Sequence, residues 1–140
     1  MKKVLLILAV ALAACAAPTA EDVLKNYSET LKIGKFDASL WDLNAFARIY
    51  YADYWDKAEK ADQDKLVSLI ERFSSNVALV QKNMAAAAEI KNMETVEKND
   101  TEQKIKVVYA SKLNPDATLA ITFLLRLEGK SWKIINYERL

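Results

Sequence analysis

The sequence contains no histidine and a single cysteine, Cys15. Without histidine there is no Ser-His-Asp or Cys-His nucleophile arrangement, and the ordinary zinc ligand sets are missing as well. With one cysteine no disulfide can close within the chain, so the fold must be held by its apolar core. Glycine occurs twice, at Gly34 and Gly129, which excludes a glycine-rich phosphate loop. No apolar run is long enough for a permanent membrane span: Val4 to Ala17 gives fourteen residues where about 20 are needed. Charge of one sign is also lacking, with twenty basic residues against nineteen acidic, so nothing points to a nucleic-acid partner. There is no internal repeat or low-complexity tract.

The first residues, MKKVLLILAVALAACAAP, have the anatomy of a secretory signal peptide. Lys2 and Lys3 form a positive start, Val4 to Ala14 is unbroken and apolar, and small residues surround Cys15. Leu12-Ala13-Ala14-Cys15 resembles the bacterial lipobox, in which the cysteine is lipidated and becomes the first mature residue. The expected organisation is a signal peptide over 1–14, a lipidated Cys15 with its tether over 15–19, and one domain over 20–140. Acyl chains contribute about 0.8 kcal/mol per buried methylene, so two or more hold a protein on a bilayer. The expected location is therefore the bacterial cell envelope, lipid-anchored and facing the periplasm. Ala16, in place of an aspartate after the cysteine, leans toward the outer membrane.

Thr19-Ala20-Glu21-Asp22 reads as a capping box, and Val23, Leu24, Tyr27 and Leu31 follow at helical spacing up to Gly34. Trp41, Phe46, Tyr50, Tyr51, Tyr54 and Trp55 lie in a second, aromatic helix. Asp62 is the expected N-cap of a third. In that third helix Leu66, Leu69, Ile70, Phe73, Val77, Val80 and Met84 form an amphipathic stripe. The period then changes from 3.6 to 2. Strands are expected over Glu89 to Glu97, around Ile105, Val107 and Tyr109, over Leu119 to Leu127, and from Trp132 to Tyr137. Turns fall at Lys98-Asn99-Asp100-Thr101, Asn114-Pro115-Asp116 and Glu128-Gly129-Lys130-Ser131. The expected class is α+β: N-terminal helices packed on a four-stranded antiparallel meander.

The remaining catalytic option is a carboxylate in a pocket, with Asp42, Asp53 and Asp56 flanking the aromatic helix. The bland reading is a solvated helix face, and the chain is read as a non-enzyme with no cofactor and no metal. The rings matter more. Tyr50-Tyr51 and Tyr54-Trp55 cannot all point inward, because neighbours on a helix differ by about 100°. Some must reach the edge of the domain, at a pocket rim, a partner surface or the membrane interface.

Two stretches resemble the MlaC or toluene-tolerance family of periplasmic phospholipid-binding proteins. ARIYYADYWDKAEKADQDKLVSLIERF, Ala47 to Phe73, is similar to that family's aromatic helix ending in Trp-x-Lys-Ala, with Trp55, Lys57 and Ala58 in the matching positions. GKSWKIINYE, Gly129 to Glu138, resembles its last strand. Glu59-Lys60 stands where the family commonly has Thr-Pro, and the family's C-terminal helices have no counterpart after Glu138. The wider likeness is to the nuclear transport factor 2-like cone fold. The resemblance implies an apolar ligand, a phospholipid acyl chain, held between sheet and helices. Phe46, Tyr50 and Tyr54 would line it from the helix, and Val107, Tyr109, Leu119, Ile121, Phe123 and Leu125 from the sheet. The alternative is a cone-fold interaction module that docks onto another envelope protein. Size sets the difficulty: an empty cavity of about 300 Å³ costs about 7 kcal/mol, close to the whole stability of a small domain.

Overall fold

The computed structural model describes residues 16–139; residues 1–15, which hold the expected signal peptide and the expected lipidation site Cys15, and Leu140 lie outside the described residues. Helix α1 spans Ala20–Lys32 and begins as the sequence predicts. The Thr19 hydroxyl accepts from the Asp22 amide at 3.2 Å, and the Asp22 carboxylate accepts from the Thr19 amide at 3.0 Å. It ends in a Schellman motif: Gly34 has φ 73°, its amide donates to Leu31, and the Lys35 amide reaches back to Thr30. A Cβ at Gly34 would also stand 3.2 Å from the Lys82 side chain.

A short 3-10 turn, Ala38–Leu40, leads into α2, Leu43–Tyr50, which Asp42 caps by accepting from the Ala45 amide at 3.0 Å. The expected single aromatic helix is two pieces, since α3, Ala52–Trp55, starts after a break at Tyr51 (φ −117°, ψ 40°). Helix α4, Lys60–Val80, starts two residues before the expected cap. Gln63 reaches back to the Trp55 and Ala58 carbonyls, which fixes the start, while Asp62 sits in the first turn and pairs with Lys65 at 3.0 Å. A last short helix, α5, Lys82–Ala86, ends inside the alanine run, whose last residue, Ala88, opens the sheet.

The sheet follows as β1, Ala88–Lys98; β2, Glu102–Ser111; β3, Thr118–Glu128; and β4, Ser131–Arg139. Its order is β1-β2-β3-β4, with every neighbouring pair antiparallel. Each turn has its own chemistry. The Asn99 side chain accepts from the Thr101 and Glu102 amides, Asn114 accepts from the Asp116 and Ala117 amides, and Gly129 supplies φ 62° at the first position of a two-residue loop. Strand β1 is one edge and bulges twice, between Ile90 and Asn92 and between Thr95 and Glu97. The other edge, β4, is partly covered: Trp41 bridges to Ile134, and the Asp42 amide donates to the Ile134 carbonyl at 3.0 Å.

Register decides the core. Ile105 faces Phe123, Val107 faces Ile121, and Leu125 faces Ile134, which gathers apolar side chains on one face of the sheet. Ala20, Val23 and Leu24 of α1 cover that face together with Trp41 and Leu43. The α+β arrangement read from the sequence is the one found.

Candidate functional site

The nine predicted lining residues do not converge on a common space. Val107 and Leu125 have no exposure and Phe123 has 2%, because α1 and Trp41 sit directly on them. Tyr109 is half-buried, and its hydroxyl meets that of Ser28 at 2.9 Å. Burial raises the Tyr109 phenol above its ordinary value, and burial does the same to Tyr27. Ile121 is half-buried against the core. Leu119, Tyr50 and Tyr54 face solvent.

The middle of the domain is filled with rings. Tyr27 meets Trp41 edge-on at 5.5 Å and Phe123 edge-on at 6.1 Å. Trp41 in turn meets Phe46 at 5.7 Å and Tyr137 at 6.1 Å. These edge-to-face contacts each contribute about 0.5–1.5 kcal/mol beyond the area they bury. The indole N–H of Trp41 is buried among them without an acceptor. Beyond this packed centre the rings continue outward as a strip, with Tyr137 stacked parallel on Phe46 at 6.2 Å and Tyr50 on Phe46 at 5.6 Å. The sequence located the rings but not Trp41's place at the centre, which depends on the bridge to β4.

Among the described residues, two surface hollows stand apart from all nine. One, about 640 Å³, lies beside the start of α1, between Thr19, Lys98, Lys130 and Trp132. The other, about 450 Å³, runs along α4 alone.

Of the candidate carboxylates, Asp53 and Asp56 are exposed on and just after α3. Asp42 caps α2, and the Glu128 carboxyl lies beside it. Burial opposes ionisation of Asp42, but hydrogen bonds from Glu128 and the Ala45 amide outweigh it and hold Asp42 below the usual range. Glu128 is pushed up to about 7 by its hydrogen bond to Asp42, aided by burial and the neighbouring charge. Arg126 and Lys133 lie near enough to oppose the rise of Glu128. Among the described residues no three metal-ligating side chains come together. No described helix is long and apolar enough to cross a membrane.

The feature that sequence reasoning missed is the outer face of α4. Its spacing reads as one amphipathic stripe, and in the structure that stripe divides. Leu66, Ile70 and Val77 are half-buried, while Leu69 is 57%, Phe73 70% and Val80 84% exposed. No protein-family model matches this chain, and no curated protein matches it either.

Proposed function

We propose that this chain is a lipid-tethered envelope domain that docks onto another envelope protein and performs no catalysis. The observation that carries this reading is where apolar surface has been spent. The inner face of the sheet is occupied by the protein's own side chains, Leu24, Tyr27 and Trp41 over Val107, Phe123 and Leu125. Large apolar side chains remain instead on the outside of α2, α3 and α4. Exposed apolar patches of this kind mark interaction surfaces. Cys15 supplies the anchor, and the four residues 16–19 keep the domain close to the bilayer that holds it. Sequestering an acyl chain would require displacing the ring cluster, at a cost close to the stability of the whole domain.

Denaturing extraction of the purified protein followed by lipid mass spectrometry tests the proposal. Only the Cys15 acyl chains are expected; phospholipid in near-stoichiometric amount would overturn it. Replacing Cys15 by alanine should move the protein from the membrane pellet to the soluble fraction. One observation favours a second reading. The strip Phe46–Tyr50–Tyr137 is open along one side and, with the resemblance to phospholipid-binding proteins, suits an acyl chain lying on the surface. The same extraction separates the two, because only the second returns a lipid.

A further inference from the structure

The acceptor for an N-linked sugar is Asn-x-Ser or Asn-x-Thr, with x other than proline, on an accessible loop of an exported chain. The sequence holds that triplet twice, at Asn26-Tyr27-Ser28 and at Asn99-Asp100-Thr101. The fold treats the two in opposite ways.

In the first, the hydroxyl is already taken. Asn26 lies in the middle of α1, Tyr27 is packed among the core rings, and Ser28 is buried. The Ser28 hydroxyl bonds the Leu24 carbonyl at 3.0 Å and meets the Tyr109 hydroxyl at 2.9 Å. No enzyme can draw this triplet into a cleft without unfolding α1.

The second is presented to solvent. Lys98 and Gln103 form the last pair of the β1–β2 ladder, so Asn99, Asp100 and Thr101 make the tip of the hairpin. Glu97 to Thr101 are all exposed. The Asn99 Oδ1 accepts from the Thr101 amide at 2.9 Å, the Glu102 amide at 2.8 Å and the Thr101 hydroxyl at 3.3 Å. Two of these partners are backbone N–H groups, which fixes the oxygen toward the turn and leaves Nδ2 uncommitted among the described residues. Three donors on one carboxamide oxygen also draw electron density from it, which makes a proton on Nδ2 easier to lose. Glu97, two residues earlier, keeps 69% of its side chain exposed beside its surface pair with Lys104, and offers a carboxylate to a cationic group of an enzyme.

There is room for what would be attached. Asn99 and the half-buried Trp132 both border the hollow of about 640 Å³ beside the start of α1. Lys98, Gln103 and Lys130 stand in the same wall, so the first sugar has space, a ring and polar partners at hand.

We infer that Asn99 is an N-glycosylation site. The donor is a sugar whose anomeric carbon carries a lipid-linked diphosphate. A bond forms between Nδ2 and that carbon, and the bond from the carbon to the diphosphate oxygen breaks. The diphosphate leaves with the electron pair, and Nδ2 gives up one proton to a base of the transferase. This rests on the envelope reading above in one respect, the export of the chain, and not on docking.

The test is mass spectrometry of the full chain purified from the membranes of the cells that make it. The intact mass should exceed that of the processed, acylated chain by one glycan, and peptide fragmentation should place the gain on Asn99. Asn99→Asp keeps an oxygen to hold the turn but lacks Nδ2, and Thr101→Ala removes the hydroxyl alone. Each should abolish the gain while circular dichroism shows an unchanged fold, and Thr101→Ser should retain it. A bare Asn99 overturns the inference, and so does a sugar that survives Asn99→Asp. A sugar on Asn26 also overturns it, because the acceptor would then be the unfolded chain. Cleavage before Cys15, read in the same spectra, reports on export separately. A cleaved chain with a bare Asn99 overturns this inference alone, and an uncleaved chain with a bare Asn99 overturns both readings.

Discussion

Truncating Phe123 to alanine distinguishes a filled core from a ligand chamber. The ring is 2% exposed, meets Tyr27 edge-on at 6.1 Å and lies at 6.4 Å from Tyr137. Around it Ile105, Trp41 and Leu24 have set positions of their own, so little can move in to close the gap. Removing a phenyl group from such a site costs about 3–5 kcal/mol, the sum of lost transfer energy and the void left behind. With a urea slope of about 2 kcal/mol/M, the unfolding midpoint should fall by about 2 M at constant slope. The resulting space would be dry and apolar, suited to a small aromatic guest such as benzene, which should recover part of the loss. If Phe123 instead bordered a chamber that already stood open, its removal would only enlarge that chamber. A loss below about 1 kcal/mol, measured by equilibrium urea unfolding with no change in slope, would refute the filled-core argument.

Other expectations follow from the caps and polar contacts. Gly34→Ala places a Cβ at φ 73° and against Lys82, and should cost about 1–2 kcal/mol by thermal unfolding, with Gly34→Asn milder. Tyr109→Phe removes one hydroxyl from the contact with Ser28, whose own bond to the Leu24 carbonyl survives, so the loss should be about 1 kcal/mol. Glu128 has a folded-state pKa of about 7, raised from 4.5. The native state thus holds this proton more tightly than the unfolded chain. Its contribution is complete below pH 4.5 and is lost as the pH rises through about 7. Melting temperatures of the wild type and Glu128→Gln should therefore diverge in favour of the variant between pH 4.5 and 7; parallel curves would show that Glu128 and Asp42 do not share a proton.

The sheet was legible because alternation is a strict signal. Lys104 to Tyr109 and Leu119 to Leu127 each place apolar residues on every second position, and one face must then be buried. The start of α1 was legible from Thr19 and Asp22, and its end from Gly34, since these residues act locally. Local chemistry failed where tertiary contacts took over. Asp62 is a good capping residue, but Gln63 reaching back to the Trp55 carbonyl starts α4 earlier. Periodicity also joins residues into one face without saying which way that face turns. Tyr50 and Tyr54 were rightly grouped with Phe46 on the aromatic helices, yet only Phe46 is packed inward. The α4 stripe shows the same limit. Spacing put Leu66 and Leu69 together, and a rotation of the helix by a fraction of a turn separated them into inside and outside.

The two bulges of β1 give this open sheet a way to remain a monolayer. A meander leaves its first strand with a row of unused amides and carbonyls, an invitation for another chain to add on and polymerise. In β1 the residues left out of the ladder are Lys91 and Val96, and each irregularity bends the strand away from the straight path that a newcomer needs. Glu89, Glu94 and Glu97 add charge along the same border. Wherever the local concentration of the domain is high, such a crooked border keeps neighbours from zipping together.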